Sequence, residues 1–354
     1  MAHNGDFIIS RDDLILVTGA SGFIGSRVVP ALLRRGFRNV RCLVRSGRGL
    51  QRLDAAIEGY RAGARVEILC GNLISPADCA TAARDVAVIY HLAAGAGEKS
   101  VPDAFLNSVV ATRNLLEAAL QQDCLKRFVN TSSIVVYDVA SKRGGVLDES
   151  CPTELHPEQC GDAYEFAKIK QDEIVSEYHE KYAIPSVIIR PGYVYGPGRP
   201  AISGRVGIGT FGLFLHLGGS NLIPLTYVDN CANAIVLAGL KPGIEGEVFN
   251  VVDDDLPSSR RLLRLYKCNV RRFKSLYLPP AVSYLFCSVW ERYSAWSDRQ
   301  LPPAFNRKMW YKYWKKTKYS NEKLKTMLGW LPDVPMTEGL TRYFESCRAG
   351  ERHA

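Results

Sequence analysis

Apolar and polar positions follow two rhythms along this chain. Short β-prone runs at 14–17, 39–45, 65–72, 86–90, 127–133 and 186–190 read as strands. Between them apolar residues recur at helical spacing: Val28, Val29, Leu32 and Leu33 in one segment, Val109, Val110, Leu115 and Leu116 in another, and a longer segment over 164–182. Further helices are expected over 76–84 and 231–240. A short strand is expected over 222–227, with Asp229 as N-cap of the helix after it. Strands that alternate with helices predict an α/β fold in which helices cover both faces of a parallel sheet. The 86–90 run, apolar throughout, suits a strand buried on both sides.

Two later stretches break that alternation. Residues 204–219 mix glycines with Ile208, Phe211, Leu213, Phe214, Leu215 and Leu217. The expectation is a mobile segment covering an apolar substrate; the plainer reading is a connecting helix with glycines at its ends. Residues 276–290 are apolar but interrupted by Pro279 and Pro280, and they fall short of the ~20 residues that span a bilayer. Aromatic and basic residues crowd 276–314, so peripheral contact with a membrane interface is one expectation. A pocket lid or a helix docked on the core is the other. Residues 141–161, punctuated by Pro, Gly and Cys, are expected to form a loop at the mouth of a site.

The first strand runs into Thr18-Gly19-Ala20-Ser21-Gly22-Phe23-Ile24-Gly25, a glycine-rich turn that opens the first helix. Gly19 permits the sharp turn, Gly22 removes a Cβ where backbone must approach a diphosphate, and Gly25 lets the helix pack closely on the strand. Exposed N–H groups and the helix dipole then face an anion. Gly19, Ser21, Gly22, Phe23, Ile24 and Gly25 are therefore candidate dinucleotide contacts. At the end of the second strand a carboxylate would bind the 2′-hydroxyl of NAD; this chain has Arg45, Ser46 and Arg48. Cations suit a 2′-phosphate, so NADP is favoured over NAD.

Tyr164 and Lys168, four apart on the 164–182 helix, project from one face. A free tyrosine titrates near pH ~10 and is a poor base at neutrality. A neighbouring ammonium favours the phenolate. Such a pair suits proton transfer at a substrate oxygen beside a redox cofactor. The 127–133 strand ends in the hydroxyls of Thr131, Ser132 and Ser133, at the edge of the sheet where ligands of such folds sit.

Composition narrows the choice. The 354 residues are 47% hydrophobic and 23% charged, which suits a soluble chain with a large core and an appended portion. The net charge of +9 comes with no nucleic-acid-reading motif, so an anionic cofactor, an anionic substrate or an acidic membrane surface is the expected counterpart. Ten cysteines lie scattered without CxxC or Cys/His clusters, so reduced thiols and no metal site are expected. Residues 1–12 lack the apolar core of a secretory signal; a cytoplasmic location, with or without membrane association, is expected.

The T-G-x-x-G-x-x-G turn, Ser133 and the Tyr164/Lys168 pair, in that order, resemble the extended branch of the short-chain dehydrogenase/reductase superfamily. That branch is the NAD-dependent epimerase/dehydratase family and its 3β-hydroxysteroid dehydrogenase-like relatives. The resemblance runs along nearly the whole chain and is loosest over 256–318. It implies a Rossmann-type doubly wound sheet. Residues 1–200, with about 222–254, would bind NAD(P); residues 201–354 would form an interleaved, mainly substrate-binding portion. It implies Ser133 as hydrogen-bond donor to the substrate oxygen, Tyr164 as acid–base group, and Lys168 as partner of the phenol and of the nicotinamide ribose. Further cofactor contacts are implied at Asn72 and Leu73, where Asn replaces the usual Asp, and at Leu92, Ala93 and Ala94 of His91-Leu92-Ala93-Ala94-Gly95. Asn107, Pro191 and Val194 complete the set. His91 itself is read as structural.

Three functions compete. The first is an oxidoreductase that interconverts a secondary alcohol and a ketone on a fairly apolar small molecule. The second is a nucleotide-sugar 4-epimerase, and the third a cofactor-binding regulator without catalysis. Epimerases of the family tend to carry Asn where Tyr193 stands, which favours the first. Dehydratases carry an Asp-Glu pair where Ile134 and Val135 stand, which argues against elimination of water. Ser133, Tyr164 and Lys168 together argue against the third. A homodimer is the expected assembly, with no nucleic-acid partner.

Overall fold

The computed structural model describes residues 7–45, 49–94, 100–140, 145–159, 162–199, 204–210, 212–297 and 305–351. Seven strands form its main sheet: β1 (Ile15–Thr18), β2 (Asn39–Val44), β3 (Arg65–Cys70), β4 (Val88–His91), β5 (Arg127–Thr131), β6 (Ser186–Pro191) and β7 (Val248–Val251). All pair in parallel, in the order β7-β6-β5-β4-β1-β2-β3. β1, β4, β5 and β6 are buried at every position, including the polar Arg127, Asn130 and Arg190. β3 is the edge strand and is largely exposed; the Arg41–Glu67 ion pair at 2.9 Å lies on it.

The helices are α1 (Gly25–Arg34), α2 (Leu50–Ile57), α3 (Pro76–Ala83), α4 (Ala111–Leu120), α5 (Ala163–Tyr182), α6 (Val228–Leu240), α7 (Ser259–Asn269), α8 (Pro280–Trp296), α9 (Arg307–Tyr313), α10 (Glu322–Leu328) and α11 (Met336–Glu351). Val28, Val29 and Leu32 of α1 pack in one core with Ala232 and Ile235 of α6. Leu115 and Leu116 of α4 and Ile174 and Val175 of α5 fill a second core, with Cys79 and Ala82 of α3. The result is the doubly wound, three-layer α/β arrangement expected. A short helix at Val101–Ala104 and a π-helical stretch at Phe105–Val110 run straight into α4, so Asn107 lies within helical structure and not before it.

Two expectations fail. The described residues of 204–219 hold no connecting helix: Gly207–Thr210 and Leu213–His216 form an antiparallel hairpin, with Gly212 at φ +74°. Ser275–Tyr277 pairs alongside as a third strand. The apolar residues there alternate, and the side chains of Ile208, Leu215 and Leu217 turn into a cluster with Cys287 and Trp314. Phe211 lies outside the described residues. Asp229 is not the N-cap of α6. The helix begins earlier, with Tyr227 at the cap position and no side-chain cap of its own. Asp253 reaches across to accept the Tyr227 N–H at 2.8 Å, while Asp229 pairs with Arg27 at 3.7 Å. Pro279 and Pro280 do not break a helix but start α8, where a missing N–H costs nothing.

The closest approach of α6 to the sheet is at Gly239, where a Cβ would stand 2.2 Å from the Tyr90 hydroxyl. That hydroxyl donates to the Val236 carbonyl at 2.9 Å. Gly239→Ala is expected to destabilise the fold by roughly 1–3 kcal/mol through overpacking. Gly59→Ala, which meets nothing within 4 Å, is expected to leave stability nearly unchanged. Urea denaturation of the two variants checks the contrast.

Candidate active site

Strand order reverses between β1 and β4, and such a reversal opens a crevice at the carboxyl ends of the strands. A cavity of about 860 Å³ fills it. Gly19, Ser21, Gly22, Phe23, Ile24 and Gly25 line this cavity, as do Arg45, Asn72, Leu73, Leu92, Ala93, Ala94, Asn107, Pro191 and Val194. Ser133, Tyr164 and Lys168 line it as well. Ser46, Arg48 and Gly95 lie outside the described residues.

The turn is sterically committed. Gly19 has φ +67°, and a Cβ on it would come within 2.9 Å of the Ala93 nitrogen. A Cβ on Gly25 would come within 2.2 Å of the Gly19 carbonyl, so this glycine packs the helix against the turn itself. These bare positions leave a cradle at the N-terminus of α1 that a diphosphate fits. Beyond it, Arg45 Nη1 donates to Asn107 Oδ1 at 3.3 Å. Asn72 turns its own Oδ1 to the Ile74 N–H at 3.2 Å, and Asn114 holds the Leu73 and Ile74 carbonyls, each at 2.9 Å.

α5 opens with Asp162 as N-cap, which accepts the N–H groups of Tyr164 and Glu165. The Tyr164 phenol shares the cavity wall with Ser133. Burial pushes its pKa above the ordinary value; the Ser133 hydroxyl and the charge of Arg199 pull it back. Arg199 is thus one cation that acts on the phenol. Lys168 is buried, and an ammonium without water must find acceptors. It donates to the Thr131 carbonyl at 2.6 Å and to Gln171 Oε1 at 2.8 Å. Burial lowers its pKa to about 8, against the pull of Asp172.

A chain of contacts leads from there to the glycine-rich turn. Gln171 Nε2 donates to Thr112 Oγ1 at 2.8 Å, and that hydroxyl gives its own proton to the Ser108 carbonyl at 2.6 Å. His91 Nε2 lies 2.9 Å from the same oxygen and must be the donor there. His91 Nδ1 then accepts from Thr18 Oγ1 at 2.8 Å. Burial lowers the imidazole pKa to about 3, so it is neutral with both nitrogens engaged, which is a structural histidine.

Gly204 and Arg205, from the segment expected to cover a substrate, also line the cavity, and sequence reasoning missed Arg199 and Tyr313. Arg199 lies over the rings of Phe23 and Tyr193, at 5.6 and 5.5 Å. Arg205, over the Tyr313 ring at 5.0 Å, donates to the Lys312 carbonyl at 2.8 Å. Lys312 of α9 pairs with Glu165 of α5 at 2.5 Å and donates to the Val135 carbonyl at 2.5 Å. α9 is thereby fastened to the residues flanking Ser133 and Tyr164. The aromatic run around Tyr313 was the one available signal.

The family model described as NAD dependent epimerase/dehydratase family matches residues 15–251. A 3beta-hydroxysteroid-dehydrogenase/decarboxylase of Arabidopsis thaliana is 28% identical over 63% of this chain, and the match spans only 40% of that protein. An uncharacterized UDP-glucose epimerase of Bacillus subtilis is 30% identical over 67% of this chain and 76% of its own length. The sterol-4-alpha-carboxylate 3-dehydrogenase, decarboxylating, of Mus musculus is 24% identical over 96% of this chain and 92% of its own. Among solved structures, the UDP-glucuronic acid 4-epimerase of Bacillus cereus, in complex with UDP-glucuronic acid and NAD, shares the fold. Its TM-score is 0.70 at 23% identity, covering 95% of this chain and 99% of that one.

Lys168 makes stability pH-dependent. Its folded pKa of about 8 lies below the ordinary 10.5, so between these values the unfolded chain binds more protons. Raising the pH through that window therefore favours the folded state. The unfolding free energy of the wild type, minus that of Lys168→Met, is expected to be flat below pH 8 and to rise toward pH 10.5. Urea denaturation at a series of pH values measures it.

Proposed function

This chain is an enzyme of the NAD dependent epimerase/dehydratase family, and from that premise we propose that it interconverts a secondary alcohol and a ketone on a largely apolar small molecule. The observation that carries the reading is one grouping: Ser133, Tyr164 and Lys168 line the same cavity as the glycine-rich turn. The fit of the dinucleotide rests on the cradle at Gly19, Gly22 and Gly25, where side chains would intrude. When bound, the nicotinamide supplies or takes up a hydride.

The remaining work falls to the chain's own groups. The turn and the α1 dipole hold the diphosphate. Ser133 donates a hydrogen bond to the substrate oxygen, and Tyr164 gives that oxygen its proton or removes it. Lys168, protonated at neutral pH, keeps a positive charge beneath the site and is within reach of the ribose side of the cavity wall. Arg199 adds a second positive charge that eases loss of the phenolic proton. NADP is favoured because Arg45 ends β2 on the cavity rim, where an acidic side chain would serve NAD. Residues 1–200 with about 222–254 act as the cofactor-binding part, and 201–354 mainly as the substrate-binding part.

The second reading, a nucleotide-sugar 4-epimerase, draws on the Bacillus subtilis relative. Against it, Tyr193 offers the cavity a ring where a sugar nucleotide's diphosphate would call for an amide.

Tyr164→Phe is expected to lower kcat by roughly 10²–10⁴-fold, the usual share of a positioned acid–base group. Cofactor affinity should stay within about twofold, since the phenol touches the substrate oxygen. Turnover assays and a fluorescence titration with NADPH measure the two. Arg45→Asp should weaken NADPH by about tenfold and improve NAD⁺ relative to it, one lost charge contact being worth that much. If the purified enzyme retains its nicotinamide and converts a sugar nucleotide with no net cofactor consumption, the epimerase reading replaces this one.

A further inference from the structure

α8 is amphipathic the wrong way round for a helix facing water. Its inward positions are small and polar: Ser283, Cys287 and Ser294 are each nearly fully buried. Ser283 accepts from the Trp310 indole at 2.9 Å, and Cys287 packs with Leu217 and Trp314. Its outward positions are Val282, Leu285, Phe286, Val289, Tyr293 and Trp296, which keep between 47% and 78% of their surface exposed. Their spacing makes one stripe down the 17-residue helix, about 25 Å long. Leu276 and Tyr277, on the strand just before, are also exposed. An apolar face of this size marks an interaction surface.

Charge identifies the occupant. Between residues 257 and 318 the chain carries fifteen Lys and Arg against two Asp and Glu; the remaining residues carry thirty against thirty-four. Arg271, Arg272 and Lys274, immediately before the exposed strand, and Arg292, on α8 itself, are exposed. A second copy docked face to face would bring one such cationic region against another. An anionic lipid surface answers both features, taking apolar side chains below its headgroups and cations among them. Trp296 at the end of the stripe suits the headgroup boundary. Among the described residues no helix is long and apolar enough to cross a membrane, so the contact is peripheral.

We propose that α8 and the strand before it form a membrane-docking face that seats on an anionic phospholipid surface. α8 is held to α9 by the Arg307–Glu291 ion pair at 2.9 Å and by Tyr284 against Trp310, with ring centroids 5.1 Å apart. Tyr313, at the end of α9, lines the cavity. The docking face and one wall of the site thus belong to a single assembly. That arrangement lets a bilayer-dissolved apolar substrate reach the cavity without crossing bulk water. The docking itself is independent of the hydride-transfer reading and survives its failure.

The test is co-sedimentation of the full chain with phosphatidylcholine vesicles, with and without phosphatidylglycerol. Binding is expected with the anionic vesicles and should weaken as salt rises. Leu285→Ser with Val289→Ser should lower the partition coefficient by about tenfold or more, and Arg271→Gln with Arg272→Gln by about fivefold per charge. Both variants should keep the wild-type melting temperature and NADPH affinity, since these side chains are exposed and away from the cavity. Failure to pellet with either vesicle, or unchanged binding by the Leu285/Val289 variant, overturns the proposal. So does a concentration-dependent dimer that the same variant dissociates, because the face would then be covered by a second copy.

Discussion

The site depends on burying positive charge at the carboxyl edge of the sheet and giving that charge enough partners. Asp172 of α5 pairs with Arg190 of β6 at 3.1 Å and accepts from Asn130 of β5 at 3.2 Å. One turn earlier Lys168 holds the end of β5 through the Thr131 carbonyl. Gln171 extends the same set through Thr112 and His91 to Thr18 at the end of β1. Desolvating these groups is costly, and a buried pair is weak evidence of stability gained. Its physical effect here is positional. α5 can slide relative to β5 and β6 only by stripping an ion of its partners, so Tyr164 stands at a fixed height above Ser133.

Much of this was legible in the residues because it rests on local rules. A β-prone run, three glycines at fixed spacing and a helical pattern specify a strand, a turn and a helix without long-range information. Two side chains four apart on a helix share a face wherever the helix is docked. What escaped depended on partners far along the chain. Arg199 and Tyr313 reach the cavity because of how the hairpin and α9 fold back, and nothing in their neighbouring residues encodes that path. The hairpin itself was hidden by its glycines, which weaken both the period-two and the helical pattern. Asp229 looked like a cap because an acidic residue begins the helical run; Asp253, distant in sequence, took that role with the Tyr227 N–H.

The same distinction bears on the electrostatics of Tyr164. A pair at i and i+4 guarantees proximity of the Cα–Cβ vectors, not of the charged ends. A lysine stem is long enough to carry its ammonium to whichever acceptors lie nearest. Here those are a strand carbonyl and an amide oxygen beneath the cavity. Burial raises the phenol's pKa, and the Ser133 hydroxyl and the Arg199 guanidinium lower it.

The basic C-terminal portion uses part of its charge for internal fastening. Lys312 is buried against Glu165 and the Val135 carbonyl, and Lys308 pairs with Glu154 at 2.5 Å. These fasten α9 to the Ser133 and Tyr164 side of the cavity through polar contacts, beside the apolar packing of Met309, Trp310 and Tyr313. Val282, Leu285, Val289 and Trp296 of α8 nonetheless keep about half or more of their surface exposed. Ser283 and Cys287 occupy the inward positions they would otherwise fill. A sequence shaped only for stability in water would reverse the two faces. The inversion is therefore a constraint imposed from outside the fold, and it sits on the element coupled through Tyr313 to the cavity wall.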